Sequence, residues 1–121
     1  MKRTWSCLVL GVLLTVAGAG TTALAQEDIT VKGEVVDMSC YMSKGAKGPE
    51  HRACAQNCVK TGTPIGILTG AGDVYLLVDD HDKPEAYESA KKLAGDQAEI
   101  TGKKFSRGGV AAIMVGKSKG L

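Results

Sequence analysis

The sequence predicts a mainly β domain with two short helices, its five strands closing into a small barrel. Five short stretches are apolar-alternating or rich in β-branched residues, glycine-bearing turns join two pairs of them, and a bounded helical pattern separates the third from the fourth. Residues 29–38 open the series with period two: Ile29, Val31, Gly33 and Val35 share one side, and Asp37 breaks the apolar run. Residues 64–68 form a short apolar run and residues 74–78 (VYLLV) a denser one. Between them Thr69-Gly70-Ala71-Gly72-Asp73 reads as a hairpin turn, with glycines available for positive φ. Residues 98–105 and 110–115 read as a second hairpin, joined across Ser106-Arg107-Gly108-Gly109.

The clearer helix is expected over residues 83–94, with Asp82 as N-cap, Glu85 completing a capping box, Pro84 in the first turn and Gly95 after the end. Ala86, Ala90, Leu93 and Ala94 form its apolar stripe, with Tyr87 at the edge. A shorter helix is expected over residues 49–60, opened by Gly48-Pro49 and closed by Gly62. A helix between the third and fourth of five strands is the order of the OB-fold, a partly open Greek-key barrel. Gly33, Gly66 and Gly102 lie inside strand patterns and suit the bends such a barrel needs. An open α+β sheet is the competing architecture.

Residues 1–25 read as a secretory signal peptide. Lys2 and Arg3 supply the positive start, residues 7–17 the apolar centre, and Ala23-Leu24-Ala25 the small-residue cleavage site. The apolar run is shorter than the roughly 20 residues of a membrane span. The expected mature chain is a single domain, residues 26–121, placed in the periplasm or secreted, with no membrane attachment after cleavage. The formal net charge of +2 leaves with Lys2 and Arg3. A neutral domain offers no electrostatic case for nucleic acid, and its few aromatic residues make no stacking platform. Cleavage also removes Cys7, so Cys40, Cys54 and Cys58 remain. An odd count in an oxidising compartment leaves one thiol over, pairs it between chains, or uses it as a ligand.

The chemistry concentrates in an insertion between the first two strands, residues 40–63. On a helix His51, Cys54 and Cys58 stand at i, i+3 and i+7 and share one face, and a Gly/Lys loop (residues 43–48) can fold Cys40, at the end of the strand, back over it. Three sulfurs and one imidazole complete a tetrahedral set for zinc and equally suit Cu(I), with Met38 and Met42 able to add thioether sulfur. The expected cofactor is therefore a zinc or copper ion held by Cys40, His51, Cys54 and Cys58 for structure, storage or delivery. Three other readings stay open. The cysteines can act as small hydrophobes beside Ala55 and Val59. Cys40 can pair with Cys54 or Cys58 in a disulfide worth about 2–4 kcal/mol, leaving a stapled module that binds some protein partner. A thiol pair can serve as a thiol-disulfide redox partner.

Catalysis has less behind it. The spacing is not C-x-x-C-H, so covalent c-type haem has no support. A Cys-His nucleophile needs an orienting acid, and no such residue stands out nearby. The run Asp79-Asp80-His81-Asp82 reads as a solvated charged loop, and no Gly-Lys-Ser/Thr follows the glycines at 66–72 to make a phosphate loop.

The segments Gly33-Glu34-Val35-Val36-Asp37, Cys40-Tyr41, His51-x-x-Cys54-Ala55-x-x-Cys58 and Gly62-x-Pro64-x-Gly66 resemble a pattern in small exported bacterial OB-fold-like proteins of unassigned function. The tail Glu99-Ile100-Thr101-Gly102-Lys103 with Gly109-Val110 and Ile113 is similar to the closing hairpin of small bacterial OB-fold proteins. The resemblance implies an exported OB-like domain and carries no reaction with it.

Overall fold

A computed structural model describes residues 26–121, so the expected export signal lies outside the described residues. The strands are β1 (Glu27–Asp37), β2 (Ile65–Thr69), β3 (Val74–Val78), β4 (Gln97–Arg107) and β5 (Val110–Gly120). Three α-helices join them: α1 (Met38–Lys44), α2 (Arg52–Lys60), which follows a 3-10 turn at Pro49–His51, and α3 (Pro84–Lys91). The strands close in the order β1-β2-β3-β5-β4, with β1 pairing antiparallel to β2 and β4, and β3 running parallel to β5. With α3 between β3 and β4, this is an OB-fold-like barrel, as the order of elements predicts. Closure removes the free sheet edges of the competing open sheet.

Alternation sets the inside of the barrel. Val35, Ile65, Ile67, Leu77, Ala98, Ile100, Ile113 and Val115 are buried in one core, which Ala55 and Val59 of α2 and Ala90 and Ala94 at the end of α3 complete. Each buried Val, Leu or Ile side chain contributes about 1.5–3 kcal/mol relative to an exposed one. Two strand glycines mark where backbones come too close for a side chain: a Cβ on Gly33 would meet the Leu68 carbonyl, and one on Gly102 the Met114 carbonyl. The register between β4 and β5 slips at Thr101/Gly102, the irregularity that bends the longest hairpin. That hairpin turns through Gly108 and Gly109 at φ 55° and 79°, the paired positive φ of a tight two-residue turn.

Two local expectations need correction. The chain does not pass from Cys40 into a loop: α1 occupies residues 38–44. Asp37 caps it, its side chain accepting from the Cys40 N–H at 2.8 Å, and Gly45 ends it at φ 66° with its N–H returned to the Tyr41 carbonyl. The capping box at Asp82 and Glu85 is also absent. Helix α3 starts at Pro84, with Lys83 outside the helical region at φ −142° and ψ 56° and no side-chain cap. The cause is Pro84 itself, since the residue before proline is driven out of the α region and Lys83 cannot be a first helical residue. The Asp82 N–H goes instead to the Asp80 carboxylate at 3.0 Å. The apolar residues expected on this helix do face the core, Ala90 buried and Ala86 and Tyr87 packed against it, but α3 ends at Lys91, so Leu93 and Ala94 reach the core from the segment that follows.

The close approach at Gly33 makes a stability prediction with an internal control. Gly33→Ala should lower stability by about 1–3 kcal/mol, because a neighbouring backbone must move. Gly70→Ala, where nothing lies within 4 Å of the new methyl, should stay within about 0.5 kcal/mol of wild type. Urea denaturation midpoints of the two variants check the difference.

Candidate metal centre

The insertion is held to the barrel by side chains of β1 and by one ion pair. Glu34, nearly buried, accepts from the Gly48 N–H at 2.7 Å and so fixes the chain just before Pro49. Arg52, first residue of α2, grips Asp96 with two bonds, Nε to Oδ1 at 2.7 Å and the second guanidinium nitrogen to Oδ2 at 3.0 Å. That pair is largely exposed, so its fork geometry orients α2 more than its charge stabilises it. The third anchor is Asp37. It continues the inward side of β1 beyond Val35 and is fully buried at the barrel rim. Its Oδ1 accepts from the Cys40 N–H, and its Oδ2 lies 2.8 Å from His51 Nε2.

Helix α2 turns Ala55 and Val59 into the core. Cys54 and Cys58 fall on the adjoining face, Cys54 exposed and Cys58 half-buried. The cysteines are therefore not core hydrophobes. Cys40, in the first turn of α1, meets them from the other side. Ligand atoms of Cys40, His51 and Cys54 all lie within 4.8 Å of one another, and so do those of Asp37, Cys40 and Cys58. Cys40 is thus the thiol common to both groups. All three cysteines are free thiols. The structure thus arranges the four residues singled out by spacing in two triads that share Cys40, with Asp37 as the third member of the triad that holds Cys58.

Asp37 is the member of the cluster that the Cys/His spacing leaves out, although its signal is visible: a carboxylate at an inward position, where an apolar alternation ends. The Met38 sulfur packs against Gly66, and Met42 is 69% exposed. His81 is 92% exposed in its loop, with an Asp79 oxygen 3.6 Å away, as expected of a solvated cluster.

The charges in the cluster follow from this packing. Burial works against ionising Asp37, but the Cys40 N–H, the His51 ring and the Cys40 thiol together outweigh it and hold the carboxyl below its ordinary range. Burial pushes the Cys40 thiol up to about 11, and its hydrogen bond to the Asp37 carboxylate adds to the rise. Burial also raises Cys58, reinforced by the neighbouring Cys54 thiol and the charge of Asp37. A thiol acts as nucleophile or in disulfide exchange as its thiolate, so Cys40 and Cys58 are tuned away from both. Asp37 does supply the orienting acid that a Cys-His nucleophile needs, but it raises the thiol that such chemistry would lower. A metal cation bound here would reverse the balance, because it would replace the thiol protons in the field of a buried carboxylate.

The cleft of about 410 Å³ between α2 and α3 is lined by Gln56, Val59, Lys60, Glu88, Lys91 and Lys92, and none of the thiols faces it. Comparison with protein-family models, with curated proteins and with solved structures found no match to this chain.

The three thiols should separate by reactivity in the metal-free protein. Exposed Cys54 is expected to react first with iodoacetamide near neutral pH, and Cys40 last, its rate still climbing as pH rises towards about 11. Peptide mass mapping over a pH series reads the order. Fast labelling of Cys40 at neutral pH would contradict the burial and Asp37 effects described above.

Proposed function

We propose that this chain is an exported soft-metal-binding domain that holds one copper(I) or zinc ion through Cys40, His51, Cys54 and Cys58. The observation that carries the reading is the convergence of three free thiols and an imidazole, from α1 and the two ends of the α2 segment, beside one buried carboxylate. Three sulfurs and one nitrogen match zinc and suit the softer copper(I). A four-ligand protein set leaves no coordination position for substrate, which favours holding the ion over turning over a reaction on it.

Storage or delivery fits better than a purely structural ion. The insertion is tied down by Glu34, Asp37 and Arg52 through the protein's own hydrogen bonds, so its shape has support apart from a metal. Cys54 is exposed, which opens one ligand to exchange with an incoming partner. Export rests on the basic start, apolar run and Ala-x-Ala site of residues 1–25. In an oxidising compartment a thiol cluster without metal faces disulfide formation, and Cys40, whose sulfur lies within 4.8 Å of both other sulfurs, is where that would begin.

Native and denaturing mass spectrometry with thiol titration, on protein recovered from the periplasm, tests the reading. One metal per chain and three titratable thiols after denaturation and chelation are expected. Cys40→Ser and Cys58→Ser should each weaken binding at least about tenfold in an anaerobic titration with copper(I) or zinc, as loss of a charged sulfur ligand requires. A metal-free protein two hydrogens light, with a single reactive thiol, would replace the metal centre with a disulfide staple.

A further inference from the structure

We infer that Asp37 is the positioning residue of this centre, a carboxylate that locks the His51 ring so that Nδ1, and not Nε2, is the nitrogen offered to the metal. The inference rests on the proposed metal centre and says how its nitrogen ligand is presented.

The starting point is the hydrogen bond between Asp37 Oδ2 and His51 Nε2, at 2.8 Å. The carboxylate is fully buried, and the imidazole side chain is 18% exposed, so water competes little for either partner. A carboxylate can only accept, so the hydrogen between the two atoms belongs to the ring. A neutral His51 then carries its proton on Nε2, and its one lone pair is on Nδ1. The other carboxylate oxygen is engaged as well, since Oδ1 accepts from the Cys40 N–H at 2.8 Å. Asp37 therefore lies within reach of the thiols while both of its oxygens are committed to orienting their neighbours.

One residue thus holds two ligands. Through Oδ1 it fixes the first turn of α1, which carries the Cys40 sulfur. Through Oδ2 it fixes the ring of His51, fourteen residues along the chain. A carboxylate behind a metal-bound histidine also raises the basicity of the ring nitrogen facing the metal. Cys40, His51 and Cys54 then form the near half of the site, and Cys58 reaches it from one turn further along α2.

An asparagine at this position inverts the arrangement with almost no change of shape. Its carbonyl oxygen must keep facing the Cys40 N–H, because the amide nitrogen there would set donor against donor. The amide nitrogen is then left facing His51 Nε2, which has to accept. The ring proton moves to Nδ1 and blocks the lone pair that would bind the metal.

Nitrogen NMR of the protein carrying isotope-labelled histidine tests this in two stages. In the metal-free wild type at mildly alkaline pH, His51 should show the Nε2–H tautomer, and in Asp37→Asn the Nδ1–H tautomer. On loading with cadmium as an NMR-active stand-in for zinc, the wild type should couple cadmium to Nδ1. Asp37→Asn should bind about 10–100-fold more weakly, the usual loss on removing such a partner, with thiolate absorbance retained and the histidine coupling gone. Wild-type coupling through Nε2, or an Nδ1–H tautomer in the metal-free wild type, overturns the inference and leaves the metal centre standing. Failure of the wild type to bind cadmium, zinc or copper(I) overturns the centre and this role with it. Both wild-type readings stand without the variant, so a folding defect in Asp37→Asn does not remove the test.

Discussion

A carboxylate shut away from solvent has to find its hydrogen-bond partners inside the protein, and Asp37 finds all of its partners in the insertion that follows it. Its neighbours Val35 and Ile65 are core residues, so the charge sits at the rim of an apolar barrel. Left unpaired there, it would destabilise the fold by several kcal/mol. The Cys40 N–H, the Cys40 thiol and the His51 ring satisfy it, and in doing so they bring α1 and the start of α2 together. The cluster of thiols is a consequence of that requirement as much as of the cysteine spacing.

The same carboxylate decides among the chemistries open to three adjacent thiols. A redox pair or a cysteine nucleophile needs a stabilised thiolate, which a nearby cation or a helix N-terminus provides. Here burial raises Cys40 and Cys58, and the negative charge of Asp37 adds to the rise. What such a pocket lacks is positive charge, which a metal ion bound there would supply while exchanging the thiol protons for metal–sulfur bonds. The face carrying Cys54 is exposed, so the cluster is open to solvent on that side and not sealed in a core.

Much of the architecture is legible in the sequence because it rests on neighbours a few residues apart. The alternation from Ile29 to Val35 and the glycine turns at residues 69–73 and 108–109 specify strands and hairpins through contacts of short reach. The face shared by His51, Cys54 and Cys58 is readable for the same reason. Helix α1 is harder to see. It has seven residues and no buried side chain, so no apolar periodicity announces it, and its existence depends on the Asp37 cap and on Gly45. At α3 the Asp82–Glu85 signature misleads because Pro84 controls the backbone of the residue before it, a constraint stronger than a cap.

The element order of an OB-like barrel and the grouping of Cys40, His51, Cys54 and Cys58 in one insertion are written along the chain, since both follow from periodicity and spacing. Only the tertiary structure decided that Asp37 belongs with them. Its partner His51 is fourteen residues away, and the bond between them requires the barrel to close, Glu34 to hold Gly48 and Arg52 to hold Asp96. Along the chain Asp37 is a break in an apolar pattern. In three dimensions it is a buried charge, and the surrounding polar groups are arranged to satisfy it.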